Sequence, residues 1–169
     1  RRNFQLPEHW NDKEIFIHFN GVYSGFHLWI NGRQVGYSQG ANNDAEFNIT
    51  SYVKSGENMV AVEVYRWTDG SYIDDQDMFA SGHRDVYLYA VPKQHVRDYH
   101  LAAVLDGPEY SQAQFKIDAF VKNYDKKPAG PIVLEVALKD PTGKSVLTLS
   151  KEITGLKMHE EQTHTLLAA

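Results

Sequence analysis

Phe26 to Tyr37 reads FHLWINGRQVGY. Phe26, Leu28 and Ile30 recur at every second position, the period of a strand that turns one face to a core. Asn31-Gly32 then supplies two residues that tolerate positive φ, as a tight two-residue hairpin turn requires, before Arg33 to Tyr37 return. Outward from this hairpin the same alternation repeats. In EIFIHFNGV, Glu14 to Val22, the residues Ile15, Ile17 and Phe19 share one face and Phe16 and His18 the other; His18 is read as structural. A polar loop from Ser38 to Ala45 leads to EFNIT. In SYVKSGENMVAVEVY, Ser55-Gly56-Glu57-Asn58 is a turn into a strand whose Val60, Val62 and Val64 face inward. DVYLYAVP, Asp85 to Pro92, places Val86 and Leu88 on one side and Tyr87 and Tyr89 on the other. Ahead of all these, Arg1 to Leu6 are extended and Pro7 to Lys13 form a polar connection.

From Lys93 onward aromatic residues thin out, and KQHVRDYHLAAVL is expected to run from a linker into the first strand of a second unit. Gln114 to Asn123 alternates through Phe115, Ile117, Ala119 and Val121. NYDKKPAGP is the next turn, Ile132 to Lys139 a strand, and Asp140 to Gly143 a β-turn with Pro at its second position. Ser145 to Ile153 and Gln162 to Leu167 supply two more strands. Short strands between turns, without helical periodicity over a dozen residues, predict an all-β chain of two β-sandwiches, residues 1–93 and 94–169. The second unit shows about five strands where a complete immunoglobulin-like sandwich has about seven. The expectation is therefore that its last strands lie outside this sequence; the missing initiator Met points the same way for the start.

Composition bounds the function. The 169 residues suffice for one large or two small β domains, and 42% hydrophobic residues with ten Tyr and three Trp exclude a disordered chain. A formal charge of −5 leaves no basic stripe to displace counterions from a nucleic-acid backbone, so nucleic acid is not an expected partner. Cysteine is absent, which removes disulfides, a thiolate nucleophile and cysteine zinc sites. No apolar run approaches the roughly 20 residues of a membrane helix, so no membrane partner is expected.

The chemistry concentrates in EVYRWTDGSYIDDQDMFASGHRDV, Glu63 to Val86. There Trp67, Tyr72, Met78 and Phe79 lie among Asp69, Asp74, Asp75 and Asp77. Aromatic rings cover the flat C–H side of a sugar while carboxylates accept its hydroxyl hydrogen bonds, so this is the composition of a carbohydrate site. A structured loop with core aromatics and solvated aspartates has the same composition, and both readings stand on these residues alone. The acidic run lacks the glycine and the terminal glutamate of a calcium loop. Asp75 and Asp77 share the spacing a retaining glycosidase pair needs, yet nothing marks one of them as a protonated acid. His83-Arg84-Asp85 begins like a kinase catalytic loop, but Ala90 stands where the magnesium-binding Asn belongs and no glycine-rich phosphate loop exists. Asn48-Ile49-Thr50 is a glycosylation sequon, meaningful only in a secreted eukaryotic protein.

Together FNGVYSGFHLWINGRQVGYSQG, AEFNIT, GENMVAVEVYRWTDGSYIDDQDM and RDVYLYAVPKQHVRD closely resemble the sugar-binding domain of family 2 glycoside hydrolases of the large bacterial β-galactosidase type. Residues 94–169 resemble the immunoglobulin-like domain that follows it there. The resemblance implies a multi-domain enzyme that hydrolyses terminal β-galactosides: a jelly-roll domain, an immunoglobulin-like domain, a (β/α)₈ barrel and further β domains. Both catalytic glutamates of that family are on the barrel, so no catalytic residue is expected in this chain and none of the family's hydrolysis from it alone. In the family the aspartate of a Gln-Asp-Met triplet reaches from the jelly roll into the barrel's site, contacting a galactose hydroxyl and helping to ligate sodium. Here the triplet is Gln76-Asp77-Met78, so the resemblance gives Asp77 the substrate-binding and sodium-binding role. A carboxylate suits both tasks, since it accepts charge-assisted hydrogen bonds and is a hard oxygen ligand. Sodium, with magnesium on the barrel, is the expected cation set of the full-length enzyme; its expected partners are a galactoside, the barrel and further copies of itself in a homo-oligomer. One departure follows the triplet: where the family reads Trp-Arg-x-Ser-Gly-Ile-x-Arg-Asp, this chain has Phe79-Ala80-Ser81-Gly82-His83-Arg84-Asp85, two residues shorter.

Two other functions fit the residues. A free-standing carbohydrate-binding or adhesive β module would bind glycans by itself with micromolar affinity. Alternatively both sandwiches only brace the barrel and set oligomer contacts, with Trp10, Trp29 and Trp67 in core or interface.

Overall fold

The structure, a computed structural model, describes residues 1–40, 43–66, 68, 81–82 and 84–168, with the backbone alone at 81, 82 and 106. The chain forms two compact units, Arg1–Pro92 and Lys93–Ala169. Strands make both, and the only helices among the described residues are two single turns of 3₁₀ helix, Glu8–Trp10 and Pro108–Tyr110.

The first unit contains β1 (Arg2–Gln5), β2 (Glu14–Phe19), β3 (Val22–Tyr23), β4 (Gly25–Ile30), β5 (Arg33–Gln39), β6 (Ala45–Asn48), β7 (Glu57–Tyr65), β8 (Ser81–Gly82) and β9 (Val86–Val91). One sheet runs β1-β7-β4-β5, a second β6-β2-β9, and β3 pairs with β8. The hairpin forms as its sequence requires: Asn31 has φ 52° and Gly32 φ 78°, and Ile30 pairs with Arg33. Between the sheets lie Ile15, Ile17 and Phe19 from β2, and Phe26, Leu28 and Ile30 from β4, with Val60, Val62 and Val64 of β7 packed against them. Alternation fixes register here, because a slip of one residue would turn each apolar set to water.

Polar groups fasten this core from inside. Asn58 is 1% exposed. Its Oδ1 accepts from Asn31 Nδ2 (2.8 Å) and from the Lys54 N–H (2.9 Å), while its Nδ2 donates to the carbonyls of Lys54 (2.8 Å) and Gly56 (3.0 Å). Asn31 in turn accepts the Met59 N–H (3.0 Å) and donates to the Tyr52 carbonyl (3.0 Å). One amide thus joins the hairpin turn to the turn before β7. On the other face of β2, His18 is half-buried with Nδ1 3.3 Å from Glu46 and Nε2 3.3 Å from Asp44. It stacks on Tyr87 at 4.9 Å, and the Tyr89 hydroxyl donates to Glu46. That is a structural setting, as the sequence suggests.

The second unit contains β10 (Gln94–Asp106), β11 (Gln112–Asn123), β12 (Ile132–Lys139), β13 (Ser145–Ile153) and β14 (Glu161–Ala168), in sheets β10-β11-β14 and β12-β13. Ile117, Ala119, Val121, Leu134, Ile153, Leu156 and Leu166 form its core. The segment after Lys93 is strand from Gln94 onward, with a shift of register between Val96 and Asp98 where a linker is expected. Asn123, fully buried, repeats the part Asn58 plays, donating to the carbonyls of Lys127 (2.8 Å) and Lys157 (2.9 Å). The expected β-turn closes with the Gly143 N–H on the Asp140 carbonyl at 2.9 Å. Asp140 Oδ1 accepts from the Thr142 hydroxyl (2.6 Å) and from the N–H groups of Thr142 and Lys144, and this holds its carboxyl below the usual range.

Candidate functional site

The stretch rich in aromatics and carboxylates begins where β7 ends. Tyr65, the last residue of β7, pairs with Gly25 at the start of β4. Beyond it the Thr68 hydroxyl donates to Ser24 Oγ at 2.7 Å. The return is anchored beside it, because β8 pairs with β3 through Gly82 to Val22 and Ser81 to Tyr23. The Asn20 N–H then donates to the Asp85 carbonyl (3.0 Å) and Arg84 Nη1 to the Asn20 carbonyl (3.3 Å), after which β9 runs along β2. The departing and returning chains are therefore both tied to residues 20–25.

Sequence periodicity does not reveal this anchorage. EIFIHFNGV reads as one strand through Val22, whereas β2 stops at Phe19 and Val22–Tyr23 changes partner to β8. Gly25 explains why a glycine begins β4: a Cβ there would lie 2.8 Å from Thr68 Cγ2 and 2.8 Å from the Tyr37 hydroxyl. Gly25→Ala is accordingly expected to displace Thr68 and break its bond to Ser24, destabilising the first unit by about 1–3 kcal/mol. Urea denaturation of the chain measures this, and a midpoint equal to that of the unsubstituted chain would mean that Thr68 does not need the space.

Asp77, the residue assigned to substrate and sodium, lies outside the described residues, as do Trp67, Asp69, Tyr72, Asp74, Asp75, Met78, Phe79 and His83. Among the described residues no three His, Cys, Asp or Glu side chains converge as metal ligands. Of the other tryptophans, Trp10 packs against the core of the first unit, while Trp29 is only half-buried on β4.

A β-sandwich with this pinned connection places the chain in a known class. The family model for glycosyl hydrolases family 2, sugar binding domain, matches residues 1–92, and the chain belongs to that family. Over 167 residues it is 40% identical to the beta-galactosidase of Priestia megaterium, covering 98% of this chain and 16% of that one. To the beta-galactosidase of Vibrio cholerae it is 38% identical over 164 residues, covering 96% and 16%. Among solved structures, Bacteroides uniformis beta-glucuronidase 2 covalently bound to cyclophellitol-6-carboxylate aziridine superposes with a TM-score of 0.84 at 27% identity, over 99% of this chain and 21% of that one. The chain thus spans 16% of the length of these beta-galactosidases and is a fragment of a family 2 glycoside hydrolase.

Proposed function

We propose that the chain is the non-catalytic β-sandwich portion of an enzyme that hydrolyses terminal β-D-galactosides with retention of configuration. On this reading both catalytic carboxylates belong to a (β/α)₈ barrel elsewhere in the full-length polypeptide. Asp77, which lies between Thr68 and Ser81 in the sequence, accepts a hydrogen bond from a galactose hydroxyl and shares a sodium ion with the barrel. The 40% identity to a beta-galactosidase across nearly the whole chain carries the proposal. It favours galactosides over glucuronides, because the beta-glucuronidase is 27% identical over the same span. The covalent adduct of that relative supports a glycosyl-enzyme route, in which a carboxylate attacks the sugar and water later releases it. Sodium suits a site with a single carboxylate and sugar hydroxyls, since hard oxygen donors favour such cations.

The test compares the full-length protein with this chain alone on an aryl β-galactoside. The full-length enzyme is expected to release galactose first as the β-anomer, followed by proton NMR, and the isolated chain to give no turnover. Its galactose affinity is expected to be millimolar at best, because one carboxylate gives a sugar little orientation. Hydrolysis by the isolated chain, or first release of the α-anomer, would overturn the reading.

A further inference from the structure

The solvent side of the β1-β7-β4-β5 sheet carries a set of rings that the core does not use. Register sets them in rows across three strands: Glu63, His27 and Tyr37 in one, Ala61, Trp29 and Gln34 in the next. A third row is Tyr65, Gly25 and Gln39. The His27 ring is central, with centroids 4.8 Å from Tyr37, 5.5 Å from Tyr65 and 5.6 Å from Trp29. Tyr37 is 43% exposed and Tyr65 39%, so these rings face water although they pack on one another. Polar groups are interleaved with them. The Gln34 amide donates to His27 Nδ1 at 2.9 Å, and the Tyr37 hydroxyl to Gln39 Oε1 at 2.7 Å.

Beside Trp29 an open groove of about 530 Å³ runs past Gly32, Met59, Ala61 and Glu63. This volume lies in the range of small-ligand sites, about 300–1,000 Å³. Ala61, paired with Trp29 across the strands, lines the groove with it.

We infer that this face is a glycan platform for neutral pyranose chains. A pyranose needs an apolar flat surface for its axial C–H groups and planar amide or carboxylate partners for its equatorial hydroxyls. Trp29 supplies the first requirement, and Gln34 and Glu63 on either side of it supply the second. A protein partner would call for a contiguous aliphatic centre, since the buried middle of such interfaces is depleted in charge; here Met59, Ala61 and Val62 are aliphatic, but the charged Arg1 and Glu63 line the same groove. The platform is built without Asp77 and does not depend on the galactosidase reading. Its role is to hold a long saccharide to the protein irrespective of catalysis.

Affinity electrophoresis of the full-length protein through gels containing β-1,4-galactan tests this. Retardation is expected for the native protein and for Asp77→Asn, and its loss for Trp29→Ala. Tyr65→Ala, at an exposed end of the ring set, is expected to reduce it without loss of folding, and Trp29→Phe to restore part of it. Loss of stacking on one ring weakens binding roughly 5- to 150-fold, by analogy with base–aromatic stacking of about 1–3 kcal/mol. Native protein that migrates unretarded, retardation that survives both Trp29→Ala and Tyr65→Ala, or retardation abolished by Asp77→Asn would overturn the inference.

Discussion

Asp77→Asn in the full-length enzyme is expected to lower kcat/KM on an aryl β-galactoside roughly 10- to 150-fold, the equivalent of losing about 1.5–3 kcal/mol from hydrogen bonds to a charged group. The substitution keeps the size of the side chain and deletes its charge, so folding should be intact. An amide oxygen still accepts a hydrogen bond but attracts a cation less, and the sodium concentration for half-maximal activity should rise accordingly. Kinetics across a sodium titration, with circular dichroism as a folding control, measure both effects. Wild-type rates at low sodium would remove Asp77 from the site.

Asn58→Leu is expected to cost the first unit about 3 kcal/mol or more, a large fraction of the roughly 5–15 kcal/mol by which a domain is stable. Leucine keeps the branching at Cγ but is bulkier, so crowding adds to the loss of hydrogen bonds. It strands the Lys54 N–H and the Lys54 carbonyl and takes one partner from the Gly56 carbonyl, which also accepts from Leu6, and one from the Asn31 amide, which also donates to Tyr52. An unpaired buried group costs about 1–3 kcal/mol, and water reaching some of them offsets part of the sum. Hydrogen exchange under urea resolves the two units: amides of β4 and β7 should lose protection while those of β11 and β14 keep it. Asn123→Leu should reverse that pattern, since Asn123 fastens the other core. A loss below about 1 kcal/mol for Asn58→Leu would mean that the turns hold without it.

The candidate site was legible in one way and hidden in another. Its composition, and the Gln76-Asp77-Met78 triplet, stand in the sequence and lead to the family to which the chain belongs. What composition does not carry is support. Ser24 and Thr68 are 44 positions apart, and neither has a sequence signal, yet one hydrogen bond between them fixes where the stretch departs. The ring platform was half visible in the same sense. Alternation that sends Phe26, Leu28 and Ile30 inward necessarily sends His27 and Trp29 outward, but Tyr37 and Tyr65 join them only through strand pairing.

The sequence by itself determined the all-β class, the hairpin at Asn31-Gly32, the alternation that gives β2, β4, β7 and β11 a core face, and the resemblance to family 2 hydrolases. These depend on local φ preference and on a period of two, properties that neighbouring residues carry without knowledge of distant ones. Only the tertiary structure decided that β2 ends at Phe19 so that Val22–Tyr23 can pair with Ser81–Gly82, and that Asn58 and Asn123 are the buried fasteners of the two cores. A polar residue in an alternating strand reads as solvent-facing until its partners are known. Those partners come from backbone carbonyls and turns that pairing of distant strands brings within hydrogen-bond reach.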